Sequence, residues 1–159
     1  MLPAAFRKNG FTLIEVLVVM AIFLGLFAMS VLVFSNMIPR ATLDGVVSTV
    51  RADLLSQQNK AMIGETGGAG SASSFGIAFT TDSYTLFRGD SRSSGQDEAT
   101  TTLPEGLIVT TSFPQDEVVF STRSGASLGG SGTITLFEES AQRETMIEVN
   151  QLGVIENVE

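Results

Sequence analysis

The sequence predicts an α+β protein in which one long N-terminal α-helix precedes a small, antiparallel β-rich head. Three observations predict this class. Apolar residues concentrate between positions 11 and 38, apolar positions with a helical period follow, and short β-prone runs separated by Gly- and Ser-rich stretches fill the rest. We expect four segments: a leader at residues 1–10, an apolar helix at 11–38, an amphipathic helix at 39–63 and the head at 64–159.

The apolar segment is long enough to span a membrane. A helix over residues 11–38 would measure about 42 Å at about 1.5 Å per residue, whereas a bilayer core is about 30 Å thick. Arg7 and Lys8 precede it, so the positive-inside rule places the N-terminus in the cytoplasm and the head outside. An ordinary secretory signal would have a shorter apolar run followed by a small-x-small cleavage site, and this long run does not fit that pattern. An ordinary single-pass anchor explains the length and the orientation.

Glu15 is the one charged residue between positions 11 and 38. An ionised side chain at the centre of a membrane helix costs about 2.5–3.5 kcal/mol on insertion scales. The cost is smaller near the membrane edge, where a long side chain can reach the interface. Taken alone, Glu15 is therefore equally compatible with an interfacial carboxylate and with a functional one.

The residues around Glu15 form a contiguous motif. The string from Arg7 to Leu17 resembles the type III signal of type IV pilins and type II secretion pseudopilins: a basic leader, Gly, then Phe-Thr-Leu-Ile-Glu and a hydrophobic helix. The resemblance implies that a prepilin peptidase cleaves between Gly10 and Phe11 and that Phe11 becomes an N-methylated N-terminus. It also implies that Glu15 pairs with the α-ammonium of a neighbouring subunit. Such pairing makes two costly ions tolerable in apolar surroundings and fixes the axial stagger of subunits.

The amphipathic helix is predicted by apolar residues at three- and four-residue steps. These are Leu43, Val46, Val47, Val50, Leu54, Ala61 and Met62, while Asp44, Arg51, Asp53, Gln57 and Lys60 largely fall between them. Gly64 is the predicted terminator. Pro39 predicts a kink or a short break between the halves. A separate helix packed in the head is the alternative.

The head changes to a strand pattern after a flexible loop at residues 64–71. Predicted strands lie at residues 75–79, 84–87, 107–111, 118–121, 133–137, 145–149 and 154–155, with polar loops at 89–102 and 125–132. This order resembles the GspH/FimT-like minor pilins and pseudopilins. The resemblance implies a structural subunit of a type IV pilus or of a type II secretion pseudopilus.

No catalytic, cofactor or metal site is predicted. The chain has no Cys and no His, so thiolate ligands and the commonest catalytic base are both missing. Residues 125–129 match Gly-x-Ser-x-Gly, but that motif needs a His base, so we interpret them as a Gly/Ser loop. Three adjacent acid pairs, at 97–98, 116–117 and 138–139, are interpreted as solvated loop acids. Calcium bound by loop oxygens is the minority alternative.

The expected partners are prepilin peptidase, other pilin or pseudopilin subunits and the inner membrane. The formal charge is −8, and removal of residues 1–10 leaves seven cations against seventeen acids, so nucleic acid is an unlikely partner. Two alternatives stay open. A FimT-like DNA-uptake pilin would need a cationic strip, yet residues 144–159 contain four acids and no Lys or Arg. A plain membrane-anchored exodomain would keep residues 1–10.

Overall fold

The computed structural model describes residues 12–66, 68 and 70–158, with the backbone alone described at 31–41, 157 and 158. One helix, α1 (Leu13–Ile63), precedes eight strands. The strands are β1 (Phe75–Thr80), β2 (Ser83–Arg88), β3 (Gln96–Thr102), β4 (Leu107–Thr111), β5 (Glu117–Phe120), β6 (Gly132–Glu138), β7 (Arg143–Val149) and β8 (Ile155–Val158). A short 3-10 turn, Pro114–Asp116, precedes β5. The predicted α+β class is confirmed.

The chain divides into two compact units between Ile38 and Pro39. The first unit contains the beginning of α1. Its stretch Leu13–Ser30 has a mean hydropathy of 2.5 and, within the described residues, is the one helical stretch long and apolar enough to cross a membrane. The Ser30 hydroxyl donates to the Leu26 carbonyl at 3.1 Å, so the helix itself satisfies this polar group.

The second unit holds the rest of α1 against two antiparallel sheets. The strand orders are β3-β2-β1-β5 and β4-β6-β7-β8. Both sheets and the helix contribute to one apolar core. Its fully buried members include Leu54 of α1, Ile77 of β1, Phe120 of β5 and Ile147 of β7. All members of this core belong to the second unit.

The amphipathic prediction holds for most of α1 and fails at two positions. Leu43, Val47, Val50, Leu54 and Ala61 are buried, as predicted. Gln57, predicted to be among the solvated residues, is fully buried, because it lies three residues after Leu54 and four before Ala61 on the same helix face. Met62 is exposed rather than buried.

The two predicted features at the helix boundaries have opposite outcomes. Gly64 adopts a φ of 68° and ends the helix as predicted. The Gly64 N–H donates to the Ala61 carbonyl at 3.1 Å, and the Glu65 N–H donates to the Lys60 carbonyl at 3.0 Å. This is the Schellman pattern of a glycine C-cap. The predicted short break at Pro39 is wrong, since α1 stays helical through that residue. Proline removes one backbone donor, at a cost of about 3 kcal/mol, and this 51-residue helix nevertheless continues on both sides of it.

The predicted strands are confirmed, with boundary shifts of at most three residues, and one strand was missed. The β3 strand lies within the predicted loop at residues 89–102. All seven of its residues are exposed, so it carries no alternation of apolar and polar side chains. It pairs with β2 at one edge of its sheet, where polar and Thr-rich strands are tolerated.

Candidate assembly site

The start of α1 is fixed by Thr12. The Thr12 hydroxyl oxygen accepts the Glu15 N–H at 3.3 Å, and the Thr12 carbonyl accepts the N–H groups of Glu15 at 3.1 Å and Val16 at 3.2 Å. Thr12 is therefore the N-cap of the helix, and Glu15 occupies the third helical position. A Thr followed three residues later by Glu is the sequence order of a capping box. That spacing could have identified Thr12 from the sequence, but the cap was not predicted.

Glu15 has the geometry of an unpartnered carboxylate on an apolar helix. It lies in the first turn of α1, where the partial positive charge of the exposed N–H groups favours an anion. Its neighbours Ile14 and Val16 are exposed apolar side chains. Across the described part of the chain, the Glu15 carboxylate forms no ion pair. The predicted processing residues Gly10 and Phe11 lie outside the described residues.

The helix after Glu15 presents apolar side chains in every direction. Each residue from 12 to 30 is exposed. The exposed set includes bulky side chains such as Phe23, Leu24 and Phe27. A helix that is apolar all round needs apolar surroundings, either lipid or other apolar helices. This stretch can therefore serve as a membrane segment, a packing segment or both.

Polar contacts fix the second half of α1 onto the β3-β2-β1-β5 sheet. The Tyr84 hydroxyl donates to Asp53 at 2.7 Å. Burial, together with the hydrogen bond to Asp53, raises the pKa of Tyr84 to about 12. Lys60 forms an ion pair with Glu98 at 2.7 Å and lies 5.5 Å from the centre of the Phe75 ring.

Hydrogen bonds from Gln58 and to Ala61 hold two loops of the head against the helix. The Gln58 side-chain amide donates to the carbonyl of Gly125 at 3.0 Å and to that of Gly153 at 2.8 Å. The Arg123 N–H donates to the Ala61 carbonyl at 2.8 Å. The helix and head therefore form one rigidly connected unit from the amphipathic half onward.

The prediction of solvated loop acids is wrong for several members. Glu138 is 6% exposed and lies at the end of β6, where it accepts the N–H groups of Ser140 and Ala141. Its hydrogen bonds, led by that from the Ser140 hydroxyl, hold the pKa of the Glu138 carboxyl below its usual value.

Three acids of the other two pairs, Asp97, Glu98 and Glu117, also make polar contacts, whereas Asp116 is an exposed acid as predicted. Asp97 and Glu98 lie on strand β3 rather than in a loop, and Asp97 pairs with Arg92 at 3.3 Å. Glu117 accepts the Arg92 backbone N–H at 3.1 Å. Among the described residues, three or more metal-ligating side chains are nowhere grouped closely enough to hold a metal ion.

The Gly-x-Ser-x-Gly segment is a loop, as interpreted from the sequence. Ser127 is buried and forms an isolated antiparallel bridge with Phe120 of β5. Its N–H donates to the Gln151 carbonyl at 3.2 Å. A nucleophile elbow joins a strand to a helix, whereas strands β5 and β6 flank this segment.

Comparisons with known proteins concern both the helix and the fold. Residues 6–33 match the prokaryotic N-terminal methylation motif. The minor pseudopilin EpsH of the Type 2 Secretion System of Vibrio cholerae has a similar structure. Its TM-score is 0.56 at 17% identity, covering 74% of this chain and 96% of that one. The type IV minor pilin FimU of Pseudomonas aeruginosa gives a TM-score of 0.58 at 14% identity, covering 76% of this chain and 90% of that one.

No curated protein matches the chain significantly. The matched motif includes Gly10, Phe11 and Glu15, and the similar structures share the α+β fold. The chain is therefore pilin-like in its N-terminal motif and in its fold, and the resemblance predicted from the sequence is confirmed at that level.

Proposed function

We propose that this chain is a structural subunit, a minor pilin or pseudopilin, of a type IV pilus or a type II secretion pseudopilus. One observation gives this proposal its strongest support. A capped helix with a carboxylate in its first turn and exposed apolar side chains along residues 16–30 begins within a methylation motif. That helix is continuous with a head of the fold found in a minor pseudopilin and a minor pilin.

Processing would convert the precursor into an assembly-competent subunit. Prepilin peptidase would cleave between Gly10 and Phe11, and Phe11 would be N-methylated. Before cleavage, Arg7 and Lys8 keep the N-terminus cytoplasmic, so the chain spans the inner membrane once with its head outside. The apolar helix stays on the mature chain, so cleavage does not release the protein. It holds the subunit in the membrane and then packs against the helices of other subunits in the filament.

Glu15 would set the register between subunits. An unpaired carboxylate in apolar surroundings is costly, and so is an unpaired α-ammonium. Joining the Glu15 carboxylate of one subunit to the N-terminal ammonium of the next removes both costs together. The Thr12 cap supports this role, because it fixes where the helix begins and hence the position of Glu15 relative to the new N-terminus. No cofactor and no catalytic residue are needed for this role.

The test is substitution of Glu15 with filament incorporation as the readout. Glu15→Ala and Glu15→Gln should insert into the membrane normally but fail to enter filaments. The neighbouring ammonium would be left unpaired, at a cost of about 3–5 kcal/mol per contact. Asp90→Ala is the matched control, because it removes an exposed carboxylate of the head. Filaments that incorporate the Glu15→Ala chain as well as the control would refute the register mechanism.

A further inference from the structure

Strand β3 is attached to the head without contributing to its apolar core. All seven of its residues are exposed, and none of the core residues in the described part of the chain belongs to it. Strand β4 is the natural comparison, because it also lies at the edge of a sheet but buries Leu107 and Val109 in the core. Apolar burial is the main favourable term in folding, so β3 is held more weakly than β4.

The contacts between β3 and β2 are hydrogen bonds that water can replace. Besides the backbone pairing of the two strands, the Thr100 hydroxyl lies 3.0 Å from that of Thr85, and the Arg88 guanidinium donates to the Gln96 side chain at 2.6 Å. The exchange of such a bond for one with water changes the free energy little. Separation of β3 from β2 therefore costs less than separation of a strand that carries core side chains.

Glu98 ties β3 to the helix. The register of the two strands shifts where Ala99 and Asp97 pair with successive residues of β2, so Glu98 between them is the extra residue of a β-bulge. A bulge changes the direction of a side chain relative to the regular strand. Here the Glu98 carboxylate accepts the Lys60 ammonium at 2.7 Å and the Gln57 amide at 3.4 Å, both of which belong to α1.

The residue that contacts Glu98 from inside the head is polar, although it lies among core residues. Gln57 is fully buried, and no described residue donates a hydrogen bond to its Oε1 atom. A buried acceptor without a donor costs free energy. Opening of β3 would admit water to this atom and remove that cost, whereas an apolar side chain at the same position would lose contacts on opening.

We propose that β3 is a strap that covers the edge of β2 and opens while the rest of the head stays folded, with the Glu98 carboxylate fastening it to α1. Without this cover β2, which buries Tyr84 and Phe87, would be an apolar edge strand. Opening frees the backbone N–H and C=O groups of β2, the geometry to which an extended segment of another chain can add. The inference concerns the head alone, so its test is independent of filament assembly.

Amide hydrogen exchange of the full-length chain in detergent tests the separate opening of β3. The amides of β3 that bond to β2 are compared with the amides of β4 that bond to β6, each relative to its rate in an unfolded chain. We expect the β3 amides to exchange at least about tenfold faster, because β4 opens only when the core does. Equal protection of the two edge strands would overturn the proposal.

Substitution of Glu98 tests its role as the fastening. Glu98→Ala should speed the exchange of β3 by about two- to fivefold, the size expected for one partly exposed ion pair, and leave β4 unchanged. Asp97→Ala is the matched control, because Asp97 pairs with Arg92 of the preceding loop rather than with the helix. It should change the exchange of β3 less. Unchanged exchange in Glu98→Ala, or equal acceleration of β3 and β4, would refute a fastening specific to β3.

Substitution of Gln57 should have the opposite effect. Gln57→Leu loses the longer hydrogen bond to Glu98, but it removes the unpaired acceptor and adds apolar surface that opening would expose to water. The exchange of β3 should therefore slow in this variant, with thermal unfolding used to show that its head is folded. Faster exchange of β3 in a folded Gln57→Leu chain would refute the proposal that this buried amide favours opening.

Discussion

The two halves of α1 belong to one continuous helix but have opposite relationships with the rest of the chain. Residues 12–30 are all exposed, although nearly all are apolar. From Leu43 to Ala61, apolar residues at helical spacing are buried against the sheets. The comparison shows that helix formation and helix burial are separate problems. The second half has its apolar partner in the same chain, whereas the first half must find one outside it.

The largest expected effect is a difference in the free energy of unfolding that is lost when each of two leucines is replaced by alanine. Leu54→Ala removes a side chain that is 0% exposed and should lower the free energy of unfolding of the head by about 2–5 kcal/mol. Leu24→Ala removes one that is 69% exposed and should leave head stability unchanged. Tyr84 is the one tyrosine and the chain lacks tryptophan, so tyrosine fluorescence of the full-length protein in detergent reports on the head. Equal losses from both variants would contradict the separation of the two halves.

Two glycines of the helix region should respond in different ways to alanine. Gly64 ends α1 with a φ of 68°, a conformation that costs a residue with a Cβ atom about 1–2 kcal/mol. Gly64→Ala should therefore destabilise the head by that amount in the same fluorescence assay. Gly25 has open space around its missing Cβ, so Gly25→Ala should leave the unfolding of the head unchanged. A harmless Gly64→Ala would show that the cap contributes little.

The hydrogen bond between Tyr84 and Asp53 predicts a smaller effect with a defined pH dependence. Tyr84→Phe should cost about 1 kcal/mol, measured by circular dichroism during unfolding. Because folding raises the pKa of Tyr84 from 10.0 to about 12, its contribution is complete below about pH 10 and is lost as the pH rises towards 12. The phenolate absorbance of this single tyrosine should titrate near 12 in the folded protein. Titration near 10 would show that the hydroxyl is not held as described.

The smallest expected effect concerns Glu138 and acid. The pKa of the folded state lies below that of the unfolded state, so this carboxylate stabilises the head above the unfolded value of about 4.5 and loses its effect as the pH falls through the folded value. Glu138→Gln should lower the melting temperature at neutral pH and weaken its acid dependence. Glu139→Gln is the control, because Glu139 is the exposed neighbour of Glu138. Identical melting curves for both variants at neutral pH would contradict the role of Glu138 in the turn.

The fold class followed from the sequence because the period of apolar residues changes once, from helical to alternating. The wrong predictions for Gln57 and Glu138 share a physical cause. In both cases the place of the residue on a buried helix or strand face decided its burial, although its side chain is polar. Gln57 is buried because it lies on the same helix face as Leu54 and Ala61. Glu138 follows Ile134 and Leu136 on the inner face of β6, and its carboxylate is satisfied by the N–H groups of the next turn. Strand β3 was missed because no side chain of it is buried.

The sequence singles out Glu15 because a carboxylate is rare in an apolar helix. The resemblance of the surrounding motif implies its role in assembly, and that role stays a prediction. The N-cap by Thr12 was missed, although Thr12 and Glu15 have the spacing of a capping box, and the structure shows the hydrogen bond from the Glu15 N–H to the Thr12 hydroxyl.

The central claim is that the chain is processed as a prepilin, and mass spectrometry of its N-terminus in native membranes tests this most directly. We expect the mature protein to begin at Phe11 and to carry one N-methyl group there. Filament association of that mature form would then agree with the proposed role of Glu15. A mature protein that still begins at Met1 would contradict the account, leaving a membrane-anchored domain with a pilin-like fold.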